Sequence, residues 1–335
     1  MSMMNSNFAM KSVLMMGAAA GMMMAAGGGA RAKSSGYTFT EINDPLGAQG
    51  TSAYGVNDSG QIAGNFTDIS GISHGFLDTN GTFITLDDPL AESGGTAAFG
   101  INNAGHVVGY YEDISNTYHG FVEANGTYTN INDSLGSQRT FAFGINNAGQ
   151  VVGYYGALQG FTGANGTYTT INVPGAGGTR AMGINDTDQI VGQYWDGSSS
   201  LHGFLDTNGT FTTLDEPLAV HGYNTGTYTS DVNNAGQVVG YYWDASGKLD
   251  GFVDINGTYT TINVPGATNT LAWGINNSGD IVGFYSDASG THAFLATPNG
   301  ATTDGAPLPV TGGTLPGAVV LLGWLGRRIA RRRNA

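Results

Sequence analysis

The chain has 335 residues, no cysteine, 56 glycines and only 11 % charged residues. The absence of cysteine excludes a disulfide scaffold and thiol chemistry. All 25 acidic residues lie between Lys33 and Gly312, together with only four basic ones. A body this negative repels phosphate backbones, so the composition argues against a nucleic-acid partner.

Residues 1–32 have the pattern of a secretory signal peptide. Lys11 supplies the positive charge, and residues 13–29 are an unbroken run of valine, leucine, methionine, alanine and glycine. The following Ala-Arg-Ala places small residues at the two positions that a signal peptidase reads. The sequence therefore predicts export and cleavage after Ala32. The alternative is an uncleaved anchor or a disordered leader.

A motif that returns six times follows the leader. Its fullest form is Gly-Ile-Asn-Asn-Ala-Gly-Gln-Val-Val-Gly-Tyr-Tyr, and its copies start near residues 55, 100, 144, 183, 231 and 274. A period in the forties is the length of one four-stranded propeller blade. The spacing predicts an all-β domain over residues 33–298, a six-bladed β-propeller of four-stranded antiparallel blades.

Turn residues divide each repeat into strands. The Asn-Asn-Ala-Gly segment ends in a glycine that can take a positive φ, and Asp188 replaces that glycine in the fourth repeat. Second strands are expected to begin near Gln61, His106, Gln150, Gln189, Gln237 and Asp280, and third strands near His74, His119, Gln159, His202, Asp250 and His292. Five Asn-Gly pairs then predict two-residue hairpins, a reading preferred to the glycosylation sequon that each pair also spells.

The sixth repeat lacks a fourth strand. After residues 292–296 the chain turns at Pro298-Asn299-Gly300 and offers no Thr-Tyr-Thr-Thr-Ile segment. Residues 37–42, Tyr-Thr-Phe-Thr-Glu-Ile, have the missing pattern. We expect them to pair in the last blade and close the ring, which removes an exposed sheet edge. An open β-solenoid is the rival architecture, and it would not need this displaced strand.

The C-terminal part has the pattern of a sorting signal. Residues 299–313 form a linker, and an apolar stretch of thirteen residues, 314–326, is followed by five arginines within residues 327–333. A helix of that length spans about 20 Å, less than the roughly 30 Å of a bilayer core. A tilted or processed anchor with its basic tail in the cytoplasm is therefore expected.

This tail resembles two known signals. Pro307-Leu308-Pro309, the apolar stretch and the Gly-Arg-Arg that follows it resemble the PEP-CTERM tails that exosortases process, with leucine in place of the central glutamate. Leu308, Pro309, Thr311 and Gly312 also match the LPxTG signal for sortase. Few residues separate this motif from the last repeat, which favours the exosortase-like enzyme as processing partner. Both resemblances imply a body outside the cytoplasm that contacts the membrane through its C-terminal segment before processing.

The repeats themselves resemble a bacterial family. Thr-His-Ala-Phe-Leu at residues 291–295 has the signature of the HAF repeat family of extracellular proteins, and three other copies read His-Gly-Phe. Repeats three and five depart from it with Gln159 and Asp250. The resemblance covers residues 37–298 and implies export and a repeat β fold. It implies no catalytic residues.

Two recurring polar positions are interpreted as structural. His74, His119, His202 and His292 hold one position, but equivalent residues on different blades diverge around the axis, so hydrogen bonding is preferred to metal binding. Aspartates recur after the second strand in five repeats, at Asp68, Asp113, Asp196, Asp244 and Asp287. No copy has the spacing of a calcium loop, so turn capping is expected. No metal and no cofactor is predicted.

Aromatic residues at the end of the second strand are the candidate ligand contacts. One aromatic position is filled in all six repeats, which indicates packing, whereas the residue before it varies. Exposed tyrosine or tryptophan beside carboxylates suits stacking on sugar rings, although packing is the default explanation. The predicted ligand-binding residues are Tyr110, Tyr154, Trp195, Tyr241 and Trp243, with Asp196 and Asp244.

The sequence contains none of the common catalytic motifs. It predicts a non-enzymatic, exported cell-surface or matrix protein that serves as an adhesion or structural scaffold, with polysaccharide or another surface protein as partner. The alternative is a carbohydrate-active hydrolase that uses an acidic pair on one propeller face. Repeated groups on many blades favour a binding array, and the irregular segment 219–227, with His221 and Tyr223, is the main departure from the repeat.

Overall fold

The turns predicted from the sequence form at the expected positions. The computed structural model describes residues 31–33, 36–91, 95–131 and 139–299. In the first Asn-Gly pair Asn80 has φ 54° and Gly81 has φ 83°, the two positive angles that a type I′ hairpin requires. Asp188, with φ 61°, occupies the position that glycine holds in the other repeats. Each repeat therefore folds back on itself as an antiparallel meander.

The first three blades are four-stranded sheets in chain order. Blade 1 contains β3 (Thr51–Val56), β4 (Ile62–Thr67), β5 (Ser73–Thr79) and β6 (Thr82–Leu86). Blade 2 contains β7 (Thr96–Ile101), β8 (Val107–Glu112), β9 (Tyr118–Ala124) and β10 (Thr127–Ile131). Blade 3 contains β11 (Thr140–Ile145), β12 (Val151–Tyr155), β13 (Gln159–Ala164) and β14 (Thr167–Ile171).

Blades 4 and 5 repeat this pattern, and blade 6 completes the ring. Blade 4 contains β15 (Gly178–Ile184), β16 (Gln189–Trp195), β17 (Leu201–Thr207) and β18 (Thr210–Leu214). Blade 5 contains β19 (Thr227–Val232), β20 (Val238–Trp243), β21 (Leu249–Ile255) and β22 (Thr258–Ile262). Blade 6 contains β23 (Asn269–Ile275), β24 (Ile281–Ser286) and β25 (Thr291–Pro298).

The predicted closing strand is present. Strand β2 (Tyr37–Ile42) pairs antiparallel with β25, and its register runs from Tyr37 opposite Pro298 to Ile42 opposite Ala293. Phe39 and Ile42 are buried against the same sheet. A short strand β1 (Arg31–Lys33) pairs with the outer edge of β2. The six-bladed, ring-closed propeller is thus confirmed, and the open solenoid is excluded.

Packing between blades builds the core. The phenylalanine of each His-Gly-Phe or equivalent triplet is almost fully buried, as at Phe76, Phe121, Phe161, Phe204, Phe252 and Phe294. Each ring lies over a glycine of the neighbouring strand, and a Cβ on Gly153 would approach the Phe161 ring within 2.8 Å. The glycine in Val-Val-Gly-Tyr-Tyr is therefore required, because a Cβ there would collide with the backbone carbonyl of Phe141 in the paired strand as well as with this ring.

Several sequence predictions fall outside the described residues. These are the leader before residue 31, the Leu-Pro-x-Thr-Gly segment, the apolar stretch 314–326 and the basic tail. The predicted cleavage after Ala32 falls within β1 and remains a prediction. Over the described ranges no helix has the length and hydropathy that a membrane span requires.

Candidate functional site

The strand ends form two different faces. One end of each blade carries the turn between its first and second strands, together with, in blades 1 to 5, the hairpin between the third and fourth strands; we call this the asparagine face. The opposite end carries the loops between second and third strands and the connections between blades; we call this the loop face. The innermost strands of the six blades surround the axis that runs between these faces.

A closed ring of buried asparagines joins all six blades at the asparagine face. The side-chain Nδ2 of Asn57 donates to the carbonyl oxygen of Asn102 in the next blade at 3.0 Å. The same bond continues at 2.9–3.3 Å through Asn102, Asn146, Asn185, Asn233 and Asn276, and returns to Asn57. Each Oδ1 accepts backbone N–H groups of its own turn, as Asn102 does from Ala104 and His106. The first asparagine of the repeat motif is therefore a connector between blades.

A second ring lies just outside the first. Backbone N–H groups donate at 2.8–2.9 Å to side chains of the next blade, through Asp58, Asn103, Asn147, Asp186, Asn234 and Asn277. Burial opposes ionisation of Asp58 and Asp186, but hydrogen bonds from the flanking asparagines outweigh it and lower the pKa of both carboxyls. Much of the hydrogen-bonding capacity of this face is thus used within the protein.

The axis is filled by one side chain from each blade. The innermost strands all carry a β-bulge at the same place, for example between Ala53 and Gly55, and the bulged residue points into the axial cavity. These residues are Tyr54, Phe99, Phe143, Met182, Ser230 and Trp273. The cavity that remains is about 40 Å³, enough for a few water molecules at most. The axis is therefore a plugged core.

Asp231 breaks the symmetry of the axis. The other five blades have glycine here because the inner strands approach closely: a Cβ on Gly100 would lie 2.5 Å from the Phe143 carbonyl oxygen. Asp231 accepts backbone hydrogen bonds from Val232 and Ile275 at 2.9 and 3.1 Å. Burial outweighs these bonds and raises the pKa of Asp231 to about 7. One carboxyl on the axis is not the acidic pair that a glycosidase needs.

The aspartates of the loop face cap their own turns, as predicted. Asp196 Oδ1 accepts the backbone N–H groups of Ser198 and Ser200 at 2.8 and 2.9 Å. The hydroxyl of Ser198 and these backbone groups hold the pKa of Asp196 at about 2. Asp68, Asp113 and Asp244 likewise accept hydrogen bonds from the backbone N–H groups two and four residues further along the chain. These carboxylates are structural turn residues.

The recurring histidines are held between an aromatic ring and carboxylates. His74 stacks on Phe66 with ring centroids 5.0 Å apart, and its Nδ1 lies 3.0 Å from Asp87. Stacking at 5.1 Å and a close carboxylate recur at His119, His202 and His292. This confirms the predicted structural hydrogen bonds at the start of the third strand.

The two departing repeats preserve the same bond with different chemistry. In blade 3 the Nδ2 of Asn172 donates to Gln159 at 3.0 Å. In blade 5 the Nδ2 of Asn263 donates to Asp250 at 2.8 Å. A histidine–aspartate pair is thus replaced by an amide–amide or amide–carboxylate pair. The position needs a hydrogen bond rather than an imidazole.

Two of the predicted ligand residues are buried, and a third is half-buried. Tyr154 and Tyr241 are 5 % and 6 % exposed, and Tyr154 stacks on Phe141 at 4.8 Å. Tyr110 packs against Phe99 and Phe141 in the same aromatic cluster around the axis. Tyr154 and Tyr241 are too buried to offer a free face to a sugar, and aromatic neighbours pack against the half-buried ring of Tyr110. Their role is packing, the default explanation for the variable position.

The remaining predicted residues lie together on the loop face of blades 4 and 5. The Arg180 guanidinium lies 4.8 Å from the rings of both Tyr154 and Trp195, as a layer between them. Trp195 donates from Nε1 to Asn224 at 2.9 Å. Trp243 lies in β20, and its backbone pairs with Val220 and Gly226 of the connection between the blades. Trp195, Asp196, Trp243 and Asp244 thus border one irregular connection, residues 215–226.

Exposed apolar side chains are concentrated on the same face. Among the described residues, seven large ones lie in its loops: Leu46, Ile69, Leu90, Ile114, Leu218, Val220 and Tyr223. Ile84 and Ile255 are also exposed, but they lie in the outer half of a blade. Sequence analysis did not assign the leucines, although the recurring Asp-Pro-Leu or Glu-Pro-Leu between blades was a visible signal. It also missed Arg180 and Asn224, which no repeat position marks.

No protein-family model and no curated protein sequence matches this chain. Similar solved structures include the Aleuria aurantia fungal lectin, described as a six-bladed β-propeller with a novel fucose recognition mode (12 % identity, TM-score 0.44, covering 75 % of this chain and 95 % of that one). AofleA from Arthrobotrys oligospora has 13 % identity and a TM-score of 0.48, with 74 % and 84 % covered. A putative oxidoreductase (glucose dehydrogenase) from Thermus thermophilus has 9 % identity and a TM-score of 0.44, with 78 % and 100 % covered. At such low identity, no ligand or activity of this chain follows from them.

Proposed function

We propose that the protein is a non-enzymatic binding scaffold of the cell exterior whose loop face contacts polysaccharide. The observation that carries this proposal is the concentration of exposed apolar and aromatic side chains on one face. Exposed apolar and aromatic side chains in these loops are available to pack against a ligand. The asparagine face, by contrast, uses its polar groups in the two closed rings.

The segment around residues 215–226 is the strongest candidate for direct contact. Tyr223 is 66 % exposed and pairs through its backbone with Ser200. Trp195 is held beside it by Arg180 and Asn224, so little side-chain entropy is lost when a sugar ring stacks there. Asp196 and Asp244 accept hydrogen bonds within the turns that border this surface and so hold those turns in place. A rigid aromatic ring on an exposed loop offers a flat apolar surface on which a sugar ring can stack.

The negative charge of the propeller limits which polysaccharides the loop face can bind. The body carries 25 acidic residues against four basic ones, and the loop face includes Asp68, Asp113, Asp196, Asp244 and Asp287. An anionic polysaccharide would be repelled at low ionic strength. The proposal therefore specifies a neutral or amine-bearing polymer.

Export and surface attachment belong to the same proposal. They rest on the signal-peptide pattern of residues 1–32 and on the sorting motif at Leu308, Pro309, Thr311 and Gly312. An exosortase-like enzyme, or a sortase-like one, would process the tail. N-terminal sequencing of protein from the native cell envelope tests export. A chain that begins at Lys33 would support cleavage of a signal peptide, and an intact N-terminus on the mature protein would contradict it.

Binding is tested with the purified full chain against cellulose, mannan, chitosan and anionic alginate. We expect retention on at least one of the first three and none on alginate. Tyr223→Ala should weaken that retention roughly two- to tenfold, because stacking of one aromatic ring contributes roughly 0.5–1.5 kcal/mol. Ile84→Ser removes another exposed apolar side chain, one outside the loop face, and should leave retention unchanged.

Two outcomes contradict the proposal. Failure to bind any polymer would favour a purely structural role. Release of reducing sugar ends during incubation would favour the carbohydrate-active hydrolase instead. Tyr223→Ala should melt within a few degrees of the parent chain, because the side chain is mainly exposed.

A further inference from the structure

Blade 4 differs from the other blades around its histidine. His202 Nδ1 lies 2.9 Å from Oδ2 of Asp215, and its ring stacks on Tyr194 at 5.1 Å. A second imidazole, His221, stacks on the other side of His202 with ring centroids 5.1 Å apart and planes at 20°. The other recurring histidines have an aromatic ring and carboxylates around them, and no second histidine stacks on any of them in the described part of the chain.

The irregular connection between blades 4 and 5 places His221 there. Its backbone is fixed at both ends, by Val220 N–H to the Trp243 carbonyl at 2.8 Å and by Asn224 N–H to the Ser199 carbonyl at 3.1 Å. Gly226 has φ 151°, and a Cβ at this residue would collide with the Leu201 carbonyl. Because the backbone is anchored on both sides of His221, the imidazole stays close to His202 without being buried.

Three groups at this place have the spacing of metal ligands. One ligand atom from each of His202, Asp215 and His221 lies within 4.8 Å of the other two. Tetrahedral zinc with bonds of about 2.1 Å needs ligand atoms roughly 3.4 Å apart. His221 is exposed and can move the remaining distance by a side-chain rotation. Across the described ranges no other trio of histidine, aspartate or glutamate side chains meets this spacing.

The surroundings of His202 also fit metal binding. Its Nε2 lies 3.5 Å from Oδ2 of Asp196, on the opposite side of the ring from Asp215. A metal-bound imidazole commonly donates its other N–H to a carboxylate, which fixes the tautomer and strengthens the ligand. Asp215 and Asp196 together balance the charge of a divalent ion. Two imidazoles and one carboxylate suit Zn²⁺ and similar transition metals better than Ca²⁺ or Mg²⁺, which prefer oxygen ligands.

Blade 1 explains why the second histidine decides the site. His74 has the same stacked ring and the same two carboxylates, with Asp87 at Nδ1 and Asp68 at Nε2. The two carboxylates flank opposite nitrogens of one imidazole, so an ion bound at either nitrogen would have only one of the carboxylates beside it and no second imidazole. Blade 1 therefore has the hydrogen-bonded pair without a binding site, and is a matched control within the same chain.

We propose that His202, Asp215 and His221 bind one divalent transition-metal ion of the Zn²⁺ class on the loop face, with water as the fourth ligand. Asp196 positions His202 through its other nitrogen. The ion would join the irregular connection to blade 4 and fix the segment that presents Tyr223. This site does not depend on the polysaccharide proposal.

The test is calorimetric titration of the untagged, chelator-treated full chain with Zn²⁺. We expect one equivalent to bind. His221→Ala and Asp215→Asn should each weaken that binding about 100-fold or more, beyond the 10- to 100-fold cost of changing an outer-shell partner. His74→Ala should leave it unchanged. Co²⁺ provides a second readout, because a four-coordinate site gives intense visible absorption that His221→Ala should abolish.

Every other result overturns the site. Absence of a 1:1 equivalent, equal affinity in His221→Ala, or equal loss in His74→Ala would each show that the histidines act only as stacked, hydrogen-bonded rings. His221 is exposed, so this variant keeps its fold, and a circular dichroism melt checks that it does. Should Asp215→Asn unfold, the His221 and His74 pair still decides the question.

Discussion

The asparagine face and the loop face are built from the same six repeats but differ in regularity. At the asparagine face each turn bonds to the turns of both neighbouring blades, and the two rings close through Asn276 and Asn277 onto residues of blade 1. At the loop face the aspartate turns bond mainly within their own loops, and the connection at 215–226 departs from the repeat. Because the turns of the asparagine face bond to one another around the axis, the residues of this face remain uniform. The other face is free to acquire irregular residues, and both proposed sites lie there.

The largest expected effect comes from breaking the ring. Deletion of residues 37–42 removes the strand opposite β25 together with buried Phe39 and Ile42, and leaves an unpaired edge on blade 6. We expect loss of the single cooperative unfolding transition in calorimetry and in denaturant titration. Thr38→Ala removes only an exposed hydrogen bond to Asn299 and should keep a cooperative melt. A deletion variant with an unchanged melt would show that β2 does not fasten the ring.

The next effect addresses the asparagine face alone. Asn146→Asp keeps the oxygen that accepts from Ala148 and Gln150 but replaces the donor that bonds to the Asn185 carbonyl. Two acceptors then face each other in a buried place, at a cost of roughly 1–3 kcal/mol in the free energy of unfolding. Asn208→Asp changes an exposed turn asparagine in the same way and should cost less than about 0.5 kcal/mol. Equal losses in the free energy of unfolding for the two variants, measured by denaturant titration, would show that the buried asparagine ring has no special role in stability.

The smallest effect concerns the axis between the faces. The pKa of Asp231 is about 7 in the folded protein against an ordinary value of 3.8. Between these values the folded state holds a proton that the unfolded state has lost, so this residue makes stability fall as pH rises from about 4 to 7. Asp231→Asn mimics the protonated form and should abolish that part of the fall. We expect a gain on the order of 1–2 kcal/mol at pH 8 and little difference at pH 4, because Asp231 is partly exposed and solvent screening reduces the full value of the shift.

The Asp231 measurement is a difference between two unfolding curves at each pH. The parent chain carries many other titrating groups, and these cancel when the variant is subtracted. A stability difference that does not change between pH 4 and pH 8 would mean that Asp231 is ionised throughout, or equally exposed in both states.

Much of the fold was predictable because hairpin chemistry is local. Asn-Gly pairs, the glycine after Asn-Asn-Ala and the count of strands were sufficient to place Tyr37–Ile42 in the last blade. Strand starts were correct to within one residue, since Gln61 and His106 belong to the turn and the second strands begin at Ile62 and Val107. The structural hydrogen bonds of the recurring histidines were predicted because equivalent residues on different blades diverge around the axis, and turn capping by the aspartates was predicted because they lack the spacing of a calcium loop.

The direction of the inner side chains was not predictable. Alternating apolar and polar residues show which side chains of a strand point to the core only where the opposite side of that strand faces solvent. Strand β12 is buried at every position because other blades cover both of its sides, so the variable position of Tyr154 is used for packing like the invariant aromatic position beside it. The shared β-bulge also turns one residue of each inner strand towards the axis. His221 was visible only as an irregularity, since no repeat position indicated that it would meet His202.

The pairing of β2 with β25 has a consequence for synthesis. The two strands meet across a separation of 261 residues, the distance in sequence between Thr38 and its partner Asn299. A growing polypeptide makes the first half of this pair early and the second half only after all the other blades have been translated. Until then β2 has no β25 to pair with, and the side chains on the axis are not yet enclosed by all six blades. Completion of the molecule is therefore a late, all-or-nothing event, which favours slow maturation and makes the protein depend on its own last blade.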